Sequence, residues 1–254
     1  MKGLGRVFDP AEVDEGRLRE AWRHRARFMD LKPGVDPEVD FGAFCKVVRG
    51  CFLGWELRDD GGGLLGTCYV GLKEYEAEGR PFVWVVLEYL FIEPKWRKTL
   101  GYPLAVLWGL ARIFARAKGR PVFAGGAGYP PSFLALGVCS ERVWFRADEP
   151  EMPAWERAAR DVVAGEMATW ERASNLVVMR TMPKEPRLTP PSDPRLVPLW
   201  EGYREAAPDW QRGVVPFAFG RLEPRVLLGR LWPELRRRVV GMFSVRVREP
   251  SAVR

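Results

Sequence analysis

The residues best placed to do chemistry lie between Phe82 and Lys118, where an apolar run is followed by a basic turn. The run, FVWVVLEYLFI, predicts a strand, and PLAVLWGLARIFARAKG predicts a helix. The turn between them contains Lys95, Arg97 and Lys98. The first turn of a helix leaves backbone N–H groups unpaired, and the helix dipole favours negative charge there. This order therefore predicts a cradle for an anion such as a phosphorylated cofactor.

Glu88 places a carboxylate inside this apolar strand. A charged group there is costly unless it is paired or faces a cleft. Because strand side chains alternate, we expect Glu88 and Leu90 on one face of the strand and Tyr89 on the other. Two interpretations stand side by side: a general base or amine-binding group in a cleft, or an ion pair or exposed position on the sheet.

Composition limits the classes of protein that this chain fits. Its 254 residues are 47% apolar and include 11 Trp, which predicts a folded globular protein. The net charge of +7 comes from 40 basic and 33 acidic residues without a long single-sign tract. This balance predicts either an ordinary solvated surface or attraction to anions such as nucleotides, coenzyme A or an acidic carrier protein. Nucleic acid binding is not expected, because there is no Lys/Arg tract or zinc-finger spacing.

The cysteine and histidine contents argue against metal sites and nucleophilic catalysis. Cys45, Cys51, Cys68 and Cys139 form no CxxC pair, and His24 is the only histidine. We therefore expect no metal and no Ser-His or Cys-His catalysis, with free thiols in a reducing compartment. The N-terminus lacks a signal-like apolar segment, and no run reaches the ~18 apolar residues of a membrane span. A soluble, cytoplasmic protein is predicted.

Periodicity predicts a layered α/β or α+β domain over residues 1–148 and a mixed α/β extension of unknown role over 149–254. The first part should contain a helix over 14–29, a hairpin over 51–72, the strand at 82–92 and the helix that opens at Pro103. A strand, a short helix and another strand should follow. In the second part we predict a helix over 152–174, a strand at 175–181, and helices at 195–206 and 224–239.

The strand, turn and helix over 82–117 resemble the cofactor-binding core of the GNAT (N-acetyltransferase) superfamily. Members typically have an apolar strand, then V-x-P-x-x-R, a short Gly-bearing loop and a helix; here the stretch reads FIEPKWR and then KTLGY. The segment GGAGYPPSFLALG resembles the family's later strand, turn and short helix. The resemblance covers residues 10–148 and implies a mixed, mostly antiparallel central sheet with splayed central strands, flanked by helices.

The resemblance also implies where a cofactor would bind. In the family, acyl-coenzyme A lies between two parallel strands that splay apart, and the main chain of the first strand bonds the pantetheine. That role would fall here on Leu90, Phe91 and Ile92. The pyrophosphate would rest on the loop and the helix start, which here are Arg97, Lys98, Thr99, Gly101 and Tyr102. The implied cofactor is acetyl-coenzyme A or another acyl-coenzyme A.

The implied reaction is transfer of an acyl group to an amine on a small molecule or a protein. Glu88 would be the base. Tyr129 is the nearest substitute for the family's thiolate-protonating tyrosine, because Leu136 occupies the expected position. Leu100 and Pro103 depart from the family's loop pattern, which leaves a non-catalytic binding or scaffold protein as an alternative. The stretch RARFMDLKPGVDPEVDFGAF resembles acyl-amino-acid and acyl-homoserine-lactone synthases, so an N-acyl synthase with an acyl carrier protein as donor is another alternative. A homodimer is also left open.

Overall fold

The computed structural model describes residues 5–93, 101–184, 190–191 and 193–230, with backbone only for 101–105. Along the chain, its helices and strands are β1 (Arg6–Phe8), α1 (Glu15–Arg25), β2 (Met29–Leu31), α2 (Pro37–Arg49), β3 (Leu53–Arg58), β4 (Leu64–Ala77), β5 (Arg80–Ile92), α3 (Gly101–Ala117), β6 (Val122–Ala127), α4 (Pro130–Cys139), β7 (Ser140–Trp144), α5 (Ala154–Ala164), β8 (Trp170–Glu171), β9 (Leu176–Val178), β10 (Thr181–Pro183), α6 (Val197–Ala206) and β11 (Val214–Leu222). A further helical segment covers 224–230.

One nine-stranded sheet forms the centre of the molecule. Its strand order is β1-β3-β4-β5-β6-β11-β9-β8, and β7 pairs beside β11. Neighbouring strands are antiparallel except β5 and β6, which run parallel. The predicted fold class, a mixed and mostly antiparallel sheet flanked by helices, is confirmed. β2 and β10 form a separate antiparallel pair.

Helices cover both faces of the sheet because strand side chains alternate. On one face, Val83 and Val85 of β5 pack into a core with residues of α3, α4 and α6. On the other face, Phe82 and Trp84 join an aromatic cluster covered by α5. The same face continues into a third cluster, which lies under α1 and α2 and contains the fully buried Tyr69. The sheet thus separates an α3–α4–α6 layer from an α1–α2–α5 layer.

The first two helices begin at aspartate caps. The Asp14 carboxylate accepts a hydrogen bond from the backbone N–H of Arg17 at 2.9 Å. Asp36 accepts from the N–H groups of Glu38 and Val39 at 2.7 and 3.1 Å. Such caps satisfy N–H groups that have no partner within the helix. The helix predicted over 14–29 ends earlier, at residue 25, because residues 29–31 pair with 181–183 as strands.

The central sheet continues beyond residue 148. β11 pairs with β6 from Phe217 to Leu222 and with β7 on its other side. Gly125 of β6 permits this close pairing, since its φ is +151° and a Cβ atom there would clash with the carbonyl oxygen of Ala218. The sheet therefore contains strands from both parts of the chain, 1–148 and 149–254.

Candidate functional site

β5 and β6 pair over three residues and then separate. Their parallel register ends where Val85 faces Ala124. β5 nevertheless runs on to Ile92 and β6 to Ala127, and the last residues of β6 pair with β11 on the opposite side. A gap therefore opens between the two central strands at their carboxyl ends, as the GNAT resemblance implies.

Leu87 lies on β5 just beyond its last pair with β6. It lies in the middle of β5, which is an interior strand of the sheet, yet it is 48% exposed. Val83 and Val85, earlier on the same face of β5, are only 0% and 3% exposed. An apolar side chain that stays exposed inside a sheet indicates an apolar groove at that point.

A β-bulge lies beside the gap. The register between β4 and β5 slips after Glu88, so that Tyr89 and Leu90 stand opposite a single residue of β4. Tyr89 has a φ of +51°, a left-handed conformation that costs a non-glycine residue about 1–3 kcal/mol. The Thr67 hydroxyl donates a hydrogen bond to the Tyr89 carbonyl at 3.2 Å. Bulges of this kind redirect side chains next to binding sites.

The bulge changes which side chains share a face of β5. Tyr89 packs in the cluster under α1 and α2, with its ring 4.6 Å from that of Phe44, whereas Leu90 packs on the α3 side. Glu88 stands opposite Tyr69, which belongs to the same cluster as Tyr89. The prediction that Glu88 and Leu90 share a face is therefore wrong, because the extra residue of the bulge breaks the alternation.

Glu88 is a partly desolvated carboxylate. It is half-buried, and burial raises the pKa of its carboxyl, with the positive charge of Lys73 acting in the opposite direction. Lys73 itself donates a hydrogen bond to Glu166, which follows α5, at 2.7 Å. Within the described ranges, no donor hydrogen-bonds the Glu88 carboxylate. A base with a raised pKa suits proton transfer closer to neutral pH.

Tyr129 lies in the short connection after β6 and is the residue before the first turn of α4. Its hydroxyl donates a hydrogen bond to the carbonyl oxygen of Thr181 in β10. Burial raises the pKa of Tyr129 to about 12. The neutral phenol is therefore present at neutral pH, which is the form that a proton donor needs. Glu88 thus lies within β5, whereas Tyr129 lies just beyond the end of β6.

The β2–β10 pair borders the carboxyl ends of these two strands. Phe28, just before β2, stacks on Phe91 of β5 with ring centroids 5.5 Å apart. The neighbouring Arg27 forms an ion pair with Glu93 at 3.0 Å. On the other side, β10 accepts the hydrogen bond from Tyr129. No sequence pattern predicts this pair, because strands of three residues are too short to show a periodicity.

The predicted cofactor-binding residues fall into two groups. Leu90 and Phe91 are half-buried and Ile92 is buried, all on the part of β5 beyond its pairing with β6. Gly101 and Tyr102 form the first turn of α3. The remaining ones lie outside the described residues: Arg97, Lys98 and Thr99. The binding roles of both groups stay predictions.

In the part of the chain that the structure describes, no group of three or more His, Cys, Asp or Glu side chains is arranged to hold a metal ion. No helix in that part combines the length and the apolar character needed to cross a bilayer.

All four cysteines are free thiols. Burial raises the pKa of Cys51 and of Cys68 to about 12, which makes both poor nucleophiles.

Two strands that splay beside a bulge, within a mixed and mostly antiparallel sheet, define the architecture of this chain. These features match the mixed sheet with splayed central strands that the sequence resemblance implies. No protein-family model and no curated protein matches the sequence.

Solved structures of acetyltransferases align with the chain. An aminoglycoside antibiotic 6'-N-acetyltransferase from Acinetobacter baumannii is 16% identical, with 50% of this chain and 81% of that chain covered and a TM-score of 0.34. AAC(6')-Iy, in complex with a bisubstrate analogue of CoA, is 15% identical over 53% of this chain and 86% of its own, with a TM-score of 0.36. A probable N-acyltransferase from Enterococcus faecalis is 10% identical over 89% and 74%, with a TM-score of 0.41. TM-scores this low carry no inference about this chain.

Proposed function

We propose that this chain is an acyltransferase that moves an acyl group from acyl-coenzyme A to an amine. The gap between β5 and β6, with Leu87 exposed along it, is the observation that carries this proposal. A thioester on a pantetheine arm is long and thin and bears two amide groups. A slot with an apolar wall and a strand edge along one side suits such an arm.

Two features of the gap support the binding of acyl-coenzyme A. Within the described residues, the β6-facing edge of β5 has no strand partner beyond Val85, and its N–H and C=O groups would pair with the pantetheine amides as another strand would. The first turn of α3 begins at Gly101, where the main-chain N–H groups of a first helical turn and the helix dipole would favour the diphosphate. Arg97 and Lys98 would add positive charge beside it.

The proposed reaction is direct attack of the amine nitrogen on the thioester carbonyl. The C–N bond forms, the C–S bond breaks, and the amine proton passes to Glu88, either directly or through a water molecule. Tyr129 would return a proton to the leaving thiolate. Main-chain N–H groups near the bulge would polarise the carbonyl. The acyl length and the acceptor, a small molecule or a protein, would be set by the width and depth of the slot.

Calorimetric titration with acetyl-coenzyme A and longer acyl-coenzyme A esters tests the proposal. Leu87→Trp should fill the slot and weaken binding by about tenfold or more, whereas Leu87→Ala should leave the slot open. Leu228→Trp is the matched control, because Leu228 is 58% exposed on the helical segment after β11. Absence of binding to the folded wild-type chain, or equal binding by both Trp variants, would refute the proposal.

Transfer assays distinguish two alternative functions, an acyltransferase that uses an acyl carrier protein as donor and a non-catalytic scaffold. A chain that uses an acyl carrier protein as donor should accept its thioester in preference to coenzyme A thioesters. Because the net charge of +7 would attract an acidic carrier, that preference should weaken at higher ionic strength. A non-catalytic scaffold should bind a thioester and show no Glu88-dependent turnover with any amine.

A further inference from the structure

A buried ion pair joins α1 to α2. Arg25 and Asp40 are 5% and 4% exposed, and the Arg25 guanidinium donates a hydrogen bond to the Asp40 carboxylate. The same carboxylate oxygen accepts a hydrogen bond from Trp22 Nε1 at 2.7 Å. Moving two charges out of water is expensive, so a buried pair of this kind is weak evidence for added stability. Its neighbours indicate a different role.

The guanidinium of Arg25 lies among three aromatic rings. Its central carbon is 5.7 Å from the ring centroid of Trp22, 5.8 Å from that of Phe44 and 5.7 Å from that of Tyr89. The rings of Phe44 and Tyr89 are themselves 4.6 Å apart. Tyr89 is therefore held between a cation from α1 and an aromatic ring from α2. These contacts connect the buried ion pair to the bulge in β5.

Tyr89 needs this support because its backbone is left-handed, with a φ of +51°. Non-glycine residues keep such a conformation only where the surroundings fix it from several directions. The Thr67 hydroxyl fixes the Tyr89 carbonyl from the neighbouring strand at 3.2 Å. Arg25 and Phe44 fix the side chain from the helices.

We propose that the Arg25–Asp40 pair positions the cleft by holding the Tyr89 bulge, and thereby sets the direction of Glu88 and of the main chain at Leu90. If the bulge relaxed into a regular strand, the register would slip by one residue and the following side chains would exchange faces. Arg25 is thus a positioning residue that acts through Tyr89. Its catalytic consequence rests on the proposed function, whereas its hold on the bulge does not.

Two variants separate the stacking contact from the buried charge. Arg25→Lys keeps a positive charge facing Asp40 but loses the flat guanidinium that lies over the rings. Tyr89→Leu removes the ring and leaves the ion pair intact. Arg19→Lys is the matched control, since Arg19 also joins α1 to α2, pairing with Glu38 at 3.0 Å, and lies 3.9 Å over the ring of Phe41.

Amide hydrogen exchange at Leu90 and Phe91, measured without any donor, tests the state of the bulge. We expect exchange about 3- to 30-fold faster in Arg25→Lys and Tyr89→Leu, the factor that corresponds to a lost cation–π contact in a desolvated site. Arg19→Lys should exchange as the wild type does. Wild-type exchange in both bulge variants would overturn the proposal.

Kinetics test the catalytic consequence. For Arg25→Lys we expect kcat to fall about 10- to 100-fold, because the base is misplaced, and KM for the donor to rise by a smaller factor, because only part of the main chain that would contact the donor moves. Faster exchange together with an unchanged kcat would overturn the positioning role. If the wild-type chain bound no acyl-coenzyme A, the proposed function would fail, and the exchange comparison would still decide whether Arg25 holds the bulge.

Discussion

At the scale of single residues, the ionisation of Glu88 should control the rate of transfer. Burial raises the pKa of its carboxyl, so the carboxylate that accepts the amine proton forms at higher pH than for an ordinary glutamate. We therefore predict that kcat/KM rises with pH through this raised pKa. Glu88→Gln should abolish the rise and lower kcat by about 10²- to 10⁴-fold. A pH–rate profile of both proteins measures these effects.

Lys73 supplies the control for this prediction, because its charge lowers the pKa of Glu88. Lys73→Met should move the rise to higher pH, and an unmoved midpoint would contradict the assignment.

The free energy of unfolding should fall with pH over the range in which kcat/KM rises. Folded Glu88 keeps its proton at a pH where the unfolded chain has lost it, so the free energy of unfolding falls as pH rises from the ordinary glutamate value to the raised one. Glu88→Gln should lack that fall.

His24 should make the fold sensitive to acid. It is 3% exposed, and neither ring nitrogen has a hydrogen-bond partner among the described residues. Burial and the charge of Arg27 lower its pKa, against the influence of Glu93 and Glu20. Because the unfolded chain binds this proton more readily, the free energy of unfolding should fall as pH drops below the ordinary histidine value of about 6.5. Urea unfolding between about pH 7.5 and pH 5.5 measures this, and an equal fall in His24→Phe would contradict it.

At the scale of elements, one buried side chain ties the start of β9 to its neighbours. The Asn175 amide donates hydrogen bonds to the carbonyl oxygens of Phe145 and Phe217 at 2.8 and 2.9 Å. Its side-chain oxygen accepts a hydrogen bond from Trp170 Nε1 at 3.0 Å. The φ of Asn175 is +56°, which asparagine tolerates better than most residues. The residue therefore joins three segments and fits its backbone.

Asn175→Ala should lower the free energy of unfolding by about 2–5 kcal/mol, because it removes the partner of two buried carbonyl oxygens and of the part-buried Trp170 indole N–H. Asn175→Gly loses the same bonds but fits the left-handed backbone, so it should be about 1 kcal/mol more stable than the alanine variant. Ser174→Ala is the control: its exposed hydroxyl bonds Glu171, and its change should stay within about 0.5 kcal/mol. Denaturant unfolding measures all three, and an alanine variant as stable as wild type would exclude this role.

The elements that the sequence predicts are those with a long pattern of their own. The strand at 82–92 and the helix that opens at Pro103 are seen as β5 and α3. β2 and β10 have three residues each and exist because they pair with one another. β11 is not predicted either: Pro216 interrupts its apolar pattern, and its partners β6, β7 and β9 come from distant parts of the chain.

The same division applies to the candidate site. Glu88 is recognisable in the sequence because a carboxylate inside an apolar strand is energetically costly unless it is paired or faces a cleft. The bulge beside it is not, since the left-handed Tyr89 depends on contacts with Thr67, Phe44 and Arg25, which lie on other elements. The sequence therefore identifies Glu88, but strict alternation of side chains assigns Leu90 to the wrong face of β5.

At the scale of the whole molecule, the sheet determines which parts of the chain can fold alone. β11 lies between β6 and β9 and also pairs with β7. Its Phe217 and Phe219 are fully buried, and both stack on Trp84 of β5 with ring centroids 5.8 and 5.5 Å apart. A strand from the second part of the chain therefore completes the aromatic core of the first.

A fragment of residues 1–148 should consequently fail to reach the native fold. Without β11, the edge of β6 loses its partner and the aromatic cluster around Trp84 is exposed, and both changes favour aggregation. We expect the fragment to aggregate on size-exclusion chromatography and to lack the near-UV circular dichroism of the full chain. Co-expression with residues 149–254 should restore a monodisperse complex, because the missing strand is then supplied by the second fragment. A monomeric 1–148 fragment with the near-UV spectrum of a packed aromatic core would show that the first part folds without β11.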